Sequence, residues 1–212
     1  MSTADVILDP LEIEKRSFEI IDAEVGEHDF DKRQWQIVRR IIHTSADFDF
    51  ADSTLFAAGV IDTALAAIRR GEPVLCDTRM VAAGVNKRRM GRFGSDLRCH
   101  VGDEDVASAA QGAGVTRSIM AMRKGVEGGC GIYLVGNAPT ALYELLAQAD
   151  SGAVQPSLVV GVPVGFVGAA ESKEALQQSA LPFITCRGRK GGSAIAAAVM
   201  NALLILAEEE SP

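Results

Sequence analysis

Three histidines occur in the 212-residue chain, and one of them, His43, closes a segment whose apolar spacing predicts a helix. An imidazole exchanges protons near neutral pH, its ordinary pKa being about 6.5. Arg40 precedes His43 by three residues and Arg39 by four, so on a helix Arg40 and His43 share a face. The end of a helix favours the imidazolium, whereas a neighbouring guanidinium opposes it. Residue chemistry by itself therefore leaves two readings open, a helix-end cap or a general acid–base. His28 and His100 sit among polar residues that suit a surface.

Anion-binding chemistry has its own candidates. Pro163-Val-Gly-Phe-Val-Gly-Ala-Ala-Glu-Ser-Lys173 and Arg187-Gly-Arg-Lys-Gly-Gly-Ser193 each follow an apolar run. Glycines ahead of a helix leave N–H groups at the positive end of its dipole, which suits a carboxylate or phosphate. The second segment adds Arg187, Arg189 and Lys190; the competing reading is a tight turn with solvated charges. The basic run Asn86-Lys-Arg-Arg-Met-Gly-Arg92 reads as a solvated face, or as a flap over a polyanion. Asp47-Phe-Asp-Phe-Ala-Asp52 reads as a turn, with Asp52 or Ser53 capping the helix that follows.

Other chemistries are argued against. No segment supplies a P-loop, and Gly112-Ala-Gly114 meets Arg117 where a dinucleotide fingerprint needs its third glycine. No nucleotide cofactor is expected. Cys76, Cys99, Cys130 and Cys186 form no Cys-x-x-Cys pair, so free thiols are expected and no protein-held metal. A net charge of −7 argues against nucleic acid as the main partner. The first fifteen residues carry four acidic groups and lack the basic-then-apolar order of a signal peptide. The apolar stretches 158–170 and 194–207 fall short of the roughly 20 residues that cross a bilayer. A soluble, cytoplasmic protein is expected, with no membrane partner.

These residues need elements to place them. Helical periodicity runs over 10–23, 31–43 and 53–70, the second with Asp31 as N-cap and Gln34 as its capping-box partner. Beyond residue 70 short apolar runs at 73–77, 97–101, 131–136, 157–161 and 182–186 read as strands. Helices are expected over 116–126, from Pro139 to about 148 with Asn137 as cap, over 169–179, and from about 191 to 210. Apolar strands alternating with helices imply a single α/β domain over 1–212. Its sheet is mostly parallel and covered by helices on both faces (Rossmann-like), behind a helical N-terminal segment. Ligands bind such sheets outside the carboxyl ends of the strands, so the turns after Asp77, Gly136, Gly161 and Cys186 are the ones to watch.

Taken together, Arg16-Ser-Phe-Glu-Ile-Ile21, Arg39-Arg-Ile-Ile-His-Thr-Ser-Ala-Asp-Phe-Asp-Phe50, Gly136-Asn-Ala-Pro-Thr-Ala-Leu142 and the two Gly-rich segments resemble the precorrin-8X methylmutase family. The resemblance runs from about residue 10 to residue 205. It implies an isomerase of corrin biosynthesis that moves a methyl group from C-11 to C-12, formally a 1,5-sigmatropic shift, without a redox or nucleotide cofactor. The proton donor and acceptor of that family aligns with His43, and its substrate contacts with Ser17 and Arg40; Arg117 is a further substrate-binding candidate. A corrinoid polycarboxylate substrate and a homodimer with its site near the subunit contact are also implied. The stretch after His43 is more similar to the cobalt-first branch, whose substrate brings its own cobalt. Two rivals share the fold pattern: a nucleotide-dependent Rossmann-like enzyme and a non-catalytic tetrapyrrole carrier.

Overall fold

The chain turns its apolar runs into one six-stranded sheet, and a computed structural model describes residues 8–210 of it. The strands are β1 (Thr54–Phe56), β2 (Val74–Cys76), β3 (Leu97–Arg98), β4 (Ile132–Val135), β5 (Leu158–Gly161) and β6 (Phe183–Cys186), in the order β1-β6-β5-β4-β2-β3. All neighbours are parallel except β1, which runs antiparallel to β6 with Thr54 opposite Cys186. The interior strands β2, β4, β5 and β6 are buried residue by residue, as strands covered on both faces must be.

Alternation sorts their side chains into two cores. Cys76, Leu134, Val160 and Ile184 point into one; Leu75, Tyr133, Val135 and Val159 point into the other. The first core is covered by α2 (Lys32–Ser45), α4 (Val60–Arg69), the short α5 (Arg79–Gly84) and α6 (Lys87–Arg92), and the long α11 (Ser193–Glu209). In front of α2 lies α1 (Pro10–Val25), which buries only Ile21. A one-turn helix, α3 (Asp49–Ser53), leads into β1. The second core is covered by α8 (Arg117–Glu127), α9 (Pro139–Asp150) and α10 (Ala169–Gln178), with α7 (Glu104–Ala113) beside α8.

The expected strands and most of the expected helices form within a few residues. The Asp31–Gln34 capping box closes in both directions, with Asp31 Oδ1 accepting from Gln34 N at 2.9 Å and Gln34 Oε1 from Asp31 N at 3.1 Å. Three expectations need correction. The single helix over 53–70 is instead α3, strand β1 and α4, because Thr54–Phe56 finds a free sheet edge beside β6. Neither Asp52 nor Ser53 caps the helix that follows: Ser53 Oγ donates to the Asp49 carbonyl at 2.8 Å, and Gly59, at φ 71°, opens α4. Asn137 does not cap α9, since the N-cap position falls on Ala138. The short helices α5, α6 and α7 were not anticipated.

All four cysteines are free, and Cys99 alone is not fully buried. Among the described residues no helix is long and apolar enough to cross a membrane.

Candidate active site

Helix α11 starts at the carboxyl edge of the sheet, directly after β6, and α2 packs against it in the opposite sense. The last turn of α2 therefore lies beside the first turn of α11, which brings His43 to the carboxyl edge. The chain leaves α2 through Ala46, the only non-glycine residue with positive φ (52°) among those described. Its N–H donates to the Ile42 carbonyl at 2.7 Å, a left-handed helix stop two peptides beyond Thr44. The loop that follows is tied down from the far side. Lys190, on the turn after β6, donates to Asp47 Oδ2 at 2.7 Å and Asp49 Oδ2 at 2.5 Å. That pairing lowers the Asp47 pKa and raises that of Lys190.

His43 is exposed, at the mouth of a hollow of about 440 Å³. One wall is Arg40, His43 and Thr44 of α2, with Glu14 of α1; the other is Gly84, Asn86 and Arg89. The floor is a stripe of α11, Ala194, Ala197, Ala198, Asn201 and Ile205, spaced as one helical face. Small side chains at 194, 197 and 198 are what leave the space. Gly84 lets the far wall approach, since a Cβ there would stand 2.7 Å from the Ala197 Cβ. Asn201 then holds that wall, accepting from Asn86 N at 2.8 Å and donating to the Gly84 carbonyl at 2.9 Å. A second hollow of about 300 Å³ shares Glu14, Arg40, Arg89 and Ile205 with the first and adds Phe18 and Arg39. The two form one groove.

Phe18 anchors the upper wall. Its ring meets the His43 imidazole edge-on at 5.4 Å, and the guanidinium carbons of Arg39 and Arg40 lie 4.3 and 4.9 Å from its centroid. Arg39 also pairs with Asp22 at 2.8 Å, and the Trp35 indole N–H donates to the same carboxylate at 2.9 Å. Arg40 forms an ion pair with Glu14. Arg89 and Arg92 share Glu208, the second at 2.8 Å.

Of the residues expected to act together, His43 and Arg40 line the groove. Ser17 is half-buried beside Phe18, its Oγ donating to the Ile13 carbonyl at 2.8 Å, and it does not line the hollow itself. Arg117 is exposed on the first turn of α8, in the opposite helical layer. Glu14 and Asn201 were not foreseen as lining residues; Asn86 and Arg89 belong to the run whose second reading was a flap over a polyanion. The stripe 194-197-198-201-205 was a legible signal for the floor. The run 86–92 was recognised as basic, but its fold into α6 against α11 was not.

Two of the turns at the strand ends, after β4 and after β6, are engaged by the protein's own groups. Asp77, buried at the end of β2, accepts from Gly136 N, Asn137 N and Ala138 N at 3.1, 2.7 and 2.8 Å, so its carboxylate fills the turn after β4. Burial raises its pKa, and those N–H donors oppose the rise. In the 187–193 turn the fully buried Lys173 donates to the Lys190 carbonyl at 2.5 Å. Burial lowers the Lys173 pKa, against the pull of the Cys186 sulfur 3.6 Å away. Lys190 itself is bound to Asp47 and Asp49, and the Arg189 guanidinium lies 5.5 Å over the Phe166 ring. Among the described residues no group of three His, Cys, Asp or Glu is placed to hold a metal.

The family model of precorrin-8X methylmutase matches residues 12–206. A cobalt-precorrin-8 methylmutase of Priestia megaterium is 46% identical over 94% of this chain and 89% of its own length. That of Salmonella typhimurium is 44% identical over 93% and 96%, and a precorrin-8X methylmutase of Pseudomonas aeruginosa 41% identical over 94% and 97%. The crystal structure of a precorrin-8X methyl mutase from Thermus thermophilus superimposes with a TM-score of 0.88 at 39% identity, covering 94% of this chain and 97% of that one. Over nearly its whole length, then, the chain is a member of the precorrin-8X methylmutase family.

Proposed function

We propose that the chain isomerises precorrin-8X or cobalt-precorrin-8 in cobalamin biosynthesis, moving a methyl group from C-11 to C-12 with His43 as proton donor and acceptor. One observation carries the assignment of His43. It is the imidazole that faces the groove, and its helix also presents Arg40 to the same space. The rearrangement is intramolecular, so a proton given to a ring nitrogen or carbon and then returned balances the reaction. Protonation draws electron density from the migrating centre, which is work for a single general acid–base. A substrate rimmed with carboxylates needs several cationic contacts, because each exposed pair contributes only about 0–1 kcal/mol. Arg40 supplies one from the wall, and Ser17, on the neighbouring turn of α1, supplies a hydroxyl once its proton turns from the Ile13 carbonyl to the substrate.

His43 is open to solvent, so the macrocycle must itself exclude water, or a second copy must cover it. We place the enzyme in the cytoplasm as a homodimer, with Arg117 of one copy available to a substrate held by the other. Cobalt-precorrin-8 is the favoured substrate, which agrees with the names of the relatives from Priestia megaterium and Salmonella typhimurium. The cobalt then arrives within the substrate.

Incubation with metal-free and cobalt-loaded substrate in parallel, followed by the visible spectrum of the macrocycle, tests the reading. Conversion of many equivalents per subunit is expected with at least one of them. Binding without turnover would mean a carrier, and absence of both would sink the proposal. Light scattering of the eluted protein reads the dimer.

A further inference from the structure

Glu14 occupies a place that a substrate carboxylate would want. It lines both hollows of the groove and forms an ion pair with Arg40, the cation nearest His43 along α2. We propose that Glu14 is an internal stand-in for one carboxylate of the substrate: it holds the Arg40 guanidinium in the free enzyme and yields it when the polycarboxylate enters. This rests on the reading of the groove given above and adds to it a residue that sets affinity.

Three guanidiniums line the groove. Arg39 is paired with Asp22, which Trp35 also holds, and the comparison of the other two, Arg40 and Arg89, shows why Glu14 is the group that yields. Arg89 also rests on a carboxylate of the protein, Glu208, but Glu208 is gripped by Arg89 and Arg92 together and its side chain is only 18% exposed. Glu14 is held by Arg40 alone among the described residues, and its side chain is 40% exposed. An exposed single pair is weak and screened, so an incoming carboxylate displaces it readily. Arg40 is meanwhile kept extended over Phe18 by the ring itself, 4.9 Å from its centroid, and does not have to be found by the ligand. Exchange does not require α1 to leave. Ile21 in the core and Asp22, bonded to Trp35 and Arg39, hold the helix about two turns further on.

The test has a sign. Hydrogenobyrinate, the metal-free rearranged corrin, is titrated into wild type, Glu14→Gln, Arg40→Ala and the double variant, with binding read from the visible spectrum. Removal of an internal competitor should tighten binding in Glu14→Gln, by about two- to fivefold. The gain should vanish in the Arg40→Ala background. Glu12→Gln, an exposed change of equal charge on the same helix outside the groove, should give no gain. Equal or weaker binding in Glu14→Gln overturns the proposal, as does the same gain without Arg40 or in Glu12→Gln. A wild type that binds no corrinoid overturns the functional reading and this proposal with it; a wild type that binds, with no gain in Glu14→Gln, overturns this proposal alone.

Discussion

The two faces of the sheet are built from the same materials and end in different states. On the face of α8, α9 and α10, leucines fill the gaps left by Gly125 and Gly161. A Cβ on Gly125 would stand 2.2 Å from Leu75, and one on Gly161 would stand 2.4 Å from Leu176. The turn above that face is filled by the Asp77 carboxylate. On the face of α2 and α11, small residues line up on the outer stripe of α11, and no large side chain fills the space they leave. Close packing makes one face a support, and withheld side chains make the other a groove. Packing stops short at the groove, and His43, Arg40, Glu14 and Arg89 stand around the opening.

That division can be broken at either face, and the largest effect belongs to the groove. His43→Ala should slow the rearrangement by about 10²–10⁴-fold, the usual contribution of a positioned acid–base group. Corrinoid binding and thermal stability should stay near wild type, because the side chain is exposed. A variant that keeps full turnover removes His43 from the mechanism. The supporting face should respond in the opposite way. Gly161→Ala drives a methyl into Leu176 and Leu142, and overpacking of this kind costs about 1–3 kcal/mol. Its melting temperature should fall while KM for the corrinoid holds. A changed KM with unchanged melting would mean that the two faces are not separable.

The fold was legible in the chain wherever pattern and element agree. The 131–136, 157–161 and 182–186 runs are apolar but for Ser157 and Thr185, and a doubly covered sheet is the place for them. Illegible parts are those where tertiary contact overrides local preference. Thr54–Phe56 sits in a helical pattern and becomes a strand because β6 offers an edge. Residues 86–92 carry four cations and read as solvated, yet Met90 is buried and Asn201 pins the turn before it. The lining of the groove was legible in part: spacing put His43 and Arg40 on one helical face, while the role proposed for His43 came from the family resemblance. It was illegible at Glu14, and the run holding Arg89 was offered as a flap without its place, because the meeting of the two across the groove depends on how α1 and α6 pack. The turn after β6 looked open to anions. Its Lys190 is bound across 143 residues of chain to Asp47, a pairing no local pattern discloses.

A smaller change sharpens the groove side. In Gly84→Ala the new methyl meets the Ala197 Cβ at 2.7 Å, and the wall bearing Asn86 and Arg89 must move outward. KM should rise, by roughly tenfold at most, with a smaller loss of stability than Gly161→Ala because Gly84 is exposed. An unchanged KM would show that this wall does not touch the substrate.

The smallest effect is expected where the two halves of the site are tied, at Lys190 and Asp47. The Lys190 ammonium holds the Asp47 carboxyl below its ordinary value of 3.8 in the folded chain. A carboxyl with a lowered folded pKa contributes stability that is fully present above its unfolded value. That contribution is lost as pH falls through the folded one. Asp47→Asn should therefore melt slightly below wild type at neutral pH, and the gap should close as the medium is acidified past 3.8. Asp49 still holds Lys190 in that variant, at 2.5 Å, so the loop after His43 keeps its course and turnover should change little. Lys190→Met releases both carboxylates and frees the loop that follows the left-handed Ala46. Turnover should then fall while corrinoid affinity holds, since Lys190 positions the end of α2 and does not line the groove. A Lys190→Met enzyme with wild-type turnover would show that Ala46 and the packing of α2 on α11 are enough to place His43.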